Sequence, residues 1–164
     1  MSANDAMLDL GYGPLEQFVS ERTGGYAPGM AGGGRPSSAV YLSKALASLA
    51  GAELELSREF FNNAVNRAYY ACYQAAVAAL VSAGVDPELE NFWPHDVVHA
   101  QFAHLLVDAD RRYPRTLRAT LKAIFDERLK ADYEPDVIGA ETAAEAVRLA
   151  REFVEAVAEE VGAL

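Results

Sequence analysis

Residues 61–80 read FNNAVNRAYYACYQAAVAAL, and this run limits the fold more than any other part of the chain. Its apolar residues occupy almost the whole helical circumference, so a helix here should be enclosed on nearly every side. The same run nevertheless contains three Asn, one Arg, three Tyr and one Gln. Buried polar groups need hydrogen-bond partners. The run therefore predicts a multi-helix bundle with this helix at its centre.

Helical periodicity extends from Ser37 to near the end of the chain. The first helix is predicted to begin at Ser37 or Ser38, either of which can cap it, and to end at about Ser57. Its apolar stripe is predicted to be Leu42, Leu46 and Leu49. The central helix is predicted over about 62–83. Gly84 is expected to end it, because glycine tolerates a left-handed backbone.

Two prolines mark the starts of the next two helices. One helix is predicted over Pro94–Asp108, and the next from Pro114 to about Ala131. Their predicted core residues are Val98, Phe102, Leu105, Ala109, Leu117, Leu121, Ile124 and Phe125. The last helix is predicted to open with a capping box of Thr142 and Glu145. Its predicted core stripe is Ala143, Val147, Ala150, Val154, Val157 and Val161.

Short connections between these helices predict an all-α fold, an up-and-down antiparallel bundle of four to five helices. The bundle is predicted over residues 37–164. Residues 1–36 are rich in glycine and are predicted to form a separate N-terminal arm, in which the sequence allows a short helix near Pro14–Glu21. The arm is expected to be either a flexible tail or a segment that orders on a partner or a second copy of the chain.

Charge and cysteine content narrow the range of functions. The 164-residue chain has a formal net charge of -10, which argues against indiscriminate binding to nucleic acid or anionic membranes but allows a local basic patch. A single cysteine, Cys72, rules out a disulfide framework within the chain and is typical of a reducing compartment. The sequence contains neither a signal peptide nor an apolar run of about 20 residues. It therefore predicts a cytoplasmic protein that does not contact the membrane.

One polar face runs along the predicted central helix. Asn63, Arg67, Tyr70 and Gln74 follow one another at steps of four, three and four residues, so they lie on the same side. A buried arginine has to be paired, because an unpaired buried charge costs several kcal/mol. The face is therefore either a polar network inside the bundle or an interface or site.

Three segments of the chain resemble the HEPN domain family of small prokaryotic helical bundles. Residues 64–71 match its Ala-x-x-Arg-Ala-Tyr-Tyr-Ala core. A His-x-x-Val-x-x-x-Phe segment and an Arg-x-x-x-Asp-Tyr motif are matched by His95, Val98, Phe102, Arg128, Asp132 and Tyr133. The resemblance spans about Ser38 to Val161 and leaves the N-terminal arm outside it.

The resemblance implies a homodimer whose two-fold contact lies near the polar face of the central helix. It also implies RNA binding or RNA cleavage without metal or cofactor, in toxin–antitoxin or antiphage systems. Ribonuclease members carry an Arg and a His separated by four to six residues. No His follows Arg128 at that spacing, and no Arg precedes any of the three histidines at that spacing. The alternative is a non-catalytic module that docks a partner such as a small nucleotidyltransferase.

Arg128, Asp132, Tyr133 and His95 are the predicted catalytic residues. Cleavage of RNA by its 2′-hydroxyl needs a base, an acid and positive charge near the phosphate. Arg128 continues the apolar stripe of Ile124, so its charge is held along a hydrophobic surface, and Asp132 can pair with it or act as the base. Tyr133 can donate a hydrogen bond. The competing interpretation is a structural ion pair of Arg128 and Asp132 at the dimer contact.

His95 and His99 lie four residues apart, on one helical face. His95 is the predicted replacement for the missing catalytic histidine, provided that folding brings it near Arg128. The alternative is a histidine that only hydrogen-bonds a neighbour at the start of a helix. HDVVH resembles the His-Glu-x-x-His zinc motif in spacing, but Asp stands in place of Glu and no third ligand is evident. No metal site is therefore predicted, and a metal- or small-ligand-binding bundle is only a third hypothesis.

Basic residues cluster in one short stretch. Seven of the 14 Lys and Arg residues fall between positions 111 and 130. If the fourth helix begins early, one of its faces carries a basic strip that can follow an RNA phosphate backbone. The alternative is a solvated face that balances acidic neighbours. The predicted RNA-binding residues are Arg111, Arg112, Arg115, Arg118 and Lys122.

Overall fold

The computed structural model describes residues 35–87, 92–135 and 137–162. Its elements are all helices, as the sequence predicts: α1 (Ser38–Ser57), α2 (Phe61–Ser82), α3 (His95–Gln101), α4 (Arg115–Tyr133) and α5 (Ala140–Glu160). A π-helical segment, Phe102–Ala109, continues α3 and is called the π segment below. The predicted N-terminal arm lies outside the described residues apart from positions 35 and 36. In the described part of the chain, no helix is both long and apolar enough to cross a bilayer.

Helix α2 is the centre of the bundle. It packs against α1, α3, α4, α5 and the π segment. Its buried residues are small or apolar for most of its length, and alanines allow the neighbouring helices to approach closely. Ser48 in α1 donates a hydrogen bond to Gln74 in α2, whereas the later Gly51 lies beside the earlier Arg67. Helices α1 and α2 are therefore antiparallel.

The ends of α1 and α2 use the same hydrogen-bonded turn. Gly84 has φ +82°, and the next residue, Val85, donates its backbone N–H to the carbonyl of Leu80. This is a Schellman motif, so the prediction that Gly84 ends α2 is confirmed. Glu59 occupies the equivalent position after α1 with φ 61°, and Phe60 donates back to Glu55.

Both predicted side-chain caps are wrong. Ser37 is the N-cap residue of α1, as predicted, but its hydroxyl makes no capping hydrogen bond. Helix α5 begins earlier than predicted, with Gly139 as its N-cap residue. Thr142 therefore lies inside the first turn and cannot form a capping box. Glu145 instead accepts hydrogen bonds from Arg148.

Most predicted core residues are buried, Phe125 and Val161 are half-buried, and three are exposed. Leu46 is 49% exposed, Leu105 is 40% exposed, and Ala109 is also exposed. The π segment explains the last two. In a π-helix the N–H bonds five residues back, as Asp110 does to Leu105, so each turn holds more residues than an α-helical turn. The inward face consequently moves to Leu106 and Val107, which are buried.

Candidate functional site

The site is centred on Tyr69, a fully buried residue in the middle of α2. Its hydroxyl oxygen lies 2.5 Å from Nδ1 of His95 and 3.1 Å from Nε2 of His99. Helix α3 begins at His95, and its turn of about 3.6 residues brings His99 onto the same face. Two imidazoles therefore share one buried phenol.

Arg128 also packs against this aromatic centre. Its guanidinium carbon lies 5.0 Å from the ring centre of Tyr69 and 5.2 Å from that of Tyr70, so the cation faces two electron-rich rings. The side chain is only 17% exposed. Arg128 is thus held within an apolar surface as the sequence predicts, but residues of its own chain enclose it.

Asp132 neutralises Arg128, as their spacing predicts. The arginine Nε lies 3.2 Å from a carboxylate oxygen of Asp132, although the N–H does not point at that oxygen, so the contact is an ion pair and not a hydrogen bond. Asn66 donates from Nδ2 to the same carboxylate, at 3.1 and 3.3 Å. The carboxylate is therefore fixed from both α2 and α4.

Asn62 fastens the start of α2 to the end of α4. Its Nδ2 donates to the carbonyl of Ala131, and its Oδ1 accepts from the backbone N–H of Ile138. One amide thus joins α2, the last turn of α4 and the linker to α5. This clamp holds the last turn of α4, which follows Arg128, against the start of α2.

Burial keeps the centre electrically neutral except for Arg128 and Asp132. Desolvation lowers the pKa of His95 to about 4, with Arg128 and His99 acting in the same direction and Asp96 opposing them. Desolvation also lowers the pKa of His99, again against the influence of Asp96. The pKa of Tyr69 is raised by burial, although Arg128 opposes the shift. Near pH 7 both imidazoles and the phenol are therefore uncharged.

A groove of about 770 Å³ separates α3 and the π segment from α4, and both histidines line it. Its apolar lining includes Phe102, Leu121 and Phe125. Its cationic lining comes from the first turns of α4: Arg115, Arg118 and Lys122. The groove thus places uncharged imidazoles beside a row of cations.

Acidic neighbours partly neutralise that row. Arg118 donates a hydrogen bond to Asp108 at 2.9 Å, and Lys122 donates to Asp126 at 2.7 Å. For Arg115, no ion pair is found among the residues that the structure describes. The row therefore keeps its positive character most clearly where α4 begins.

Two of the predicted RNA-binding residues are not on the helix. Helix α4 begins at Arg115, after Pro114, so Arg111 and Arg112 belong to the preceding linker. Arg111 takes a left-handed backbone conformation with φ 52°. Arg112 pairs with Asp110 at 3.5 Å. The helix therefore does not begin early enough for Arg111 to extend the basic strip of Arg115, Arg118 and Lys122.

The predicted polar face of α2 is divided. Asn63 and Arg67 are exposed, so within one chain Arg67 is not part of a buried polar network, and the alternative of an interface stays a prediction. Tyr70 is half-buried against Arg128, and Gln74 is bonded to Ser48 at 2.8 Å. The inner half of the face therefore serves the bundle, and the outer half faces solvent.

The remaining residues considered in the sequence analysis are Tyr133 and His99. Tyr133 ends α4 and is 55% exposed. His99 contributes to the Tyr69 centre, whereas within the described ranges no group of three His, Cys, Asp or Glu residues is placed to hold a metal ion.

In the described part of the chain, four helices and the π segment pack around the central helix α2, whose polar stripe meets two histidines and an arginine. They define an all-α bundle with a buried polar centre. The model of the family described as HEPN domain matches residues 38–161. The chain therefore belongs to the HEPN domain family, which confirms the resemblance in its three sequence segments. A comparison with curated proteins finds no match.

Sequence reasoning missed the importance of Tyr69, Asn62 and Asn66. The signal was present, because Asn62, Asn66, Tyr69 and Tyr73 also follow one another at steps of four, three and four residues. This stripe lies one position before the predicted polar face, which begins at Asn63. Spacing alone does not decide which of two adjacent stripes faces the neighbouring helices.

Proposed function

We propose that this HEPN domain binds RNA and cleaves it, with the groove beside Tyr69 as its reaction centre. The observation that carries the proposal is that His95, which lines the groove with its row of cations, stacks on the Tyr69 ring that Arg128 also contacts. His95 thereby takes the role of the histidine that is missing from the ribonuclease motif of the family. Arg115, Arg118 and Lys122 would hold the phosphate backbone.

The chemistry needs no metal or cofactor. One neutral imidazole can accept the proton of the 2′-hydroxyl at its bare nitrogen, and another can donate its N–H towards the leaving oxygen. Burial keeps the imidazoles of both His95 and His99 neutral near pH 7. Arg128, with Asp132 and Asn66 behind it, supplies the positive charge that favours the developing phosphate anion. A bound phosphodiester would in turn raise the pKa of both histidines, since an opposite charge favours the protonated form.

We further propose that the active form is a homodimer that acts in the cytoplasm, in a toxin–antitoxin or antiphage system. The exposed half of the α2 face, Asn63 and Arg67, supports a contact with a second copy, because these polar groups are not used inside the bundle. Tyr133 is exposed at the end of α4, and we propose that its side chain contacts RNA in the same assembly.

RNA binding can be tested with a pair of opposite changes in one ion pair. Lys122→Ala removes a cation from the groove and should weaken binding to single-stranded RNA, whereas Asp126→Asn frees Lys122 and should strengthen it. Arg148→Ala removes a cation from the exposed face of α5 and serves as the control. Affinities at low salt would be measured by fluorescence anisotropy. If the wild-type protein does not bind RNA, the proposal fails.

Cleavage is tested at Arg128. Arg128→Ala removes the charge and both cation–π contacts, and we expect cleavage to fall by about 10²–10³-fold. Arg128→Lys keeps the charge but loses the planar guanidinium, so it should retain only part of the activity. Circular dichroism would check that each variant is folded. A folded Arg128→Ala protein with wild-type cleavage would contradict the proposed centre.

A second function, docking of a partner protein such as a nucleotidyltransferase, has its own supporting observation. Leu46 and Leu54 in α1 are 49% and 51% exposed, and Leu46 lines a second groove, between α1 and α5. A partner that covers this surface should co-purify with the wild-type protein and be lost with Leu46→Glu. Such a module would also be indifferent to Arg128→Lys, which distinguishes it from a ribonuclease.

A further inference from the structure

The hydroxyl of Tyr69 imposes a constraint on the two histidines beside it. The oxygen lies within hydrogen-bond distance of one nitrogen from each ring, Nδ1 of His95 and Nε2 of His99. A phenol has one proton to donate, so it can donate to one ring only. The other ring must donate its own N–H to the phenol oxygen. The two rings therefore have opposite roles towards Tyr69.

Neutral rings extend this constraint to the nitrogens that do not touch Tyr69. A neutral imidazole carries one N–H and one bare nitrogen. The ring that accepts from Tyr69 must carry its proton on its outer nitrogen, whereas the ring that donates to Tyr69 must have a bare outer nitrogen. The shorter contact, 2.5 Å, assigns His95 as the acceptor and His99 as the donor. His95 then presents Nε2–H, and His99 presents a bare Nδ1.

We infer that Tyr69 is a positioning residue that joins His95 and His99 into a neutral acid–base pair, with His99 as the base and His95 as the acid. The inference rests on the proposed ribonuclease function and adds two residues to it. Both imidazoles line the groove, so both can reach a phosphodiester held there. The hydroxyl connects them by hydrogen bonds within the protein.

The proton balance of this reaction closes within the three side chains. The 2′-oxygen attacks phosphorus, and its proton passes to Nδ1 of His99. The proton on Nε2 of His99 passes to the Tyr69 oxygen, while the Tyr69 proton passes to Nδ1 of His95. The proton on Nε2 of His95 then passes to the departing 5′-oxygen. The P–O5′ bond breaks, and the products are a 2′,3′-cyclic phosphate and a 5′-hydroxyl.

After one turnover both rings carry their proton on Nδ1, and Tyr69 again carries one proton. The concerted transfer avoids a tyrosinate, which burial disfavours. Proton exchange with water at the outer nitrogens returns the pair to its starting state. No step requires an imidazolium in the resting protein.

The neutral resting state of both histidines distinguishes the relay from a mechanism in which one histidine begins protonated. The rate of the relay should stay level between about pH 7 and 9, because both imidazoles and the phenol are neutral in that range. A mechanism that needs an imidazolium slows as the pH rises above the pKa of that ring. Tyr69→Phe keeps the ring that stacks on His95 and Arg128 but removes the relay.

The experiment compares the wild-type protein, Tyr69→Phe and Tyr113→Phe in single-turnover cleavage of RNA across this pH range. Tyr113 is buried outside the centre, so its variant controls for the loss of a buried hydroxyl. We expect Tyr69→Phe to lower the rate by at least about 10²-fold, to make it fall as the pH rises, and to leave RNA affinity unchanged. Tyr113→Phe should keep the wild-type profile.

A second readout does not depend on activity. In protein labelled with ¹⁵N-histidine, NMR should detect a scalar coupling between the Tyr69 hydroxyl proton and Nδ1 of His95, and Tyr69→Phe should abolish it. If the wild-type protein cleaves RNA but lacks this coupling, or if Tyr69→Phe cleaves with wild-type rate and profile, the relay is wrong and the ribonuclease function stands. If the wild-type protein does not cleave RNA, the ribonuclease function itself fails.

Discussion

At the scale of single residues, the burial of His95 makes the stability of the bundle depend on pH. Its pKa is about 4 in the folded protein and about 6.5 in an unfolded chain, so the unfolded chain binds more protons between these values. The associated stability is complete above about pH 6.5 and is lost as the pH falls towards 4. With a discount for partial exposure, we expect a loss on the order of 2 kcal/mol.

The measurement is the free energy of unfolding in urea at several pH values. His95→Asn should weaken the dependence between about pH 6.5 and 4, because it removes one of the two buried imidazoles and leaves only His99 to be protonated in the centre. His104→Asn provides the matched control, since the His104 side chain is 73% exposed. A wild-type protein whose stability does not change over this interval would contradict the assigned environment of His95.

The residue scale is also where sequence reasoning succeeded least. The pairing of Arg128 with Asp132 followed from their spacing on one helix, and the structure contains it. The convergence of Tyr69 with His95 depends on how far α3 is displaced along α2, which no local pattern encodes. A helix with two adjacent polar stripes is ambiguous until its neighbours are placed. The sequence consequently indicated the right helix but not the stripe that meets His95 and Asp132.

At the scale of the elements, the π segment decides which leucine belongs to the core. Leu106 is fully buried, whereas Leu105 is 40% exposed. Leu106→Ala should therefore lower the free energy of unfolding by about 2–5 kcal/mol, because it leaves a cavity. Leu105→Ala should cost less than about 1 kcal/mol. Urea unfolding of the two variants checks this, and equal losses would mean that the segment keeps an α-helical register.

The π segment also shows which feature of the helices could not be predicted from local sequence. Caps, prolines and apolar spacing located all five helices to within a few residues, because these signals are local. The apolar pattern FAHLL suits either of two registers, since Leu105 and Leu106 are adjacent. Packing of Phe102 and Leu106 against the rest of the core selects the π geometry. That selection is a tertiary effect.

The ends of α1 and α2 offer a matched pair of backbone substitutions. Glu59 has φ 61°, a conformation that costs a side-chain-bearing residue about 1 kcal/mol and costs glycine nothing. Glu59→Gly should raise the free energy of unfolding by roughly 0.5–1 kcal/mol. Gly84→Ala should lower it by about 1 kcal/mol through the backbone alone, since a Cβ there meets no atom within 4 Å. Thermal unfolding midpoints should move in opposite directions, and shifts of the same sign would contradict the Schellman assignment.

At the scale of the whole molecule, the charge distribution limits where RNA can bind. A chain of net charge -10 repels a polyanion except where its cations gather, and the groove along α4 is such a place. Asp108 and Asp126 moderate the groove by pairing with its cations. RNA must replace these carboxylates, so binding should weaken steeply with salt.

The last prediction tests the proposed dimer through the exposed face of α2. Arg67 lies with its stem beside Gly51 and is exposed, although it belongs to the most enclosed helix. In a two-fold contact the charge of Arg67 would lie against the surface of the partner copy. A substitution at this position changes both sides of the contact. Arg67→Glu should therefore raise the dimer dissociation constant by at least about tenfold, as measured by sedimentation equilibrium. Arg148→Glu changes the net charge equally but lies on the exposed face of α5, so it should leave the constant unchanged. A wild-type monomer would overturn the dimer itself, whereas an unaffected Arg67→Glu dimer would move the contact to another face.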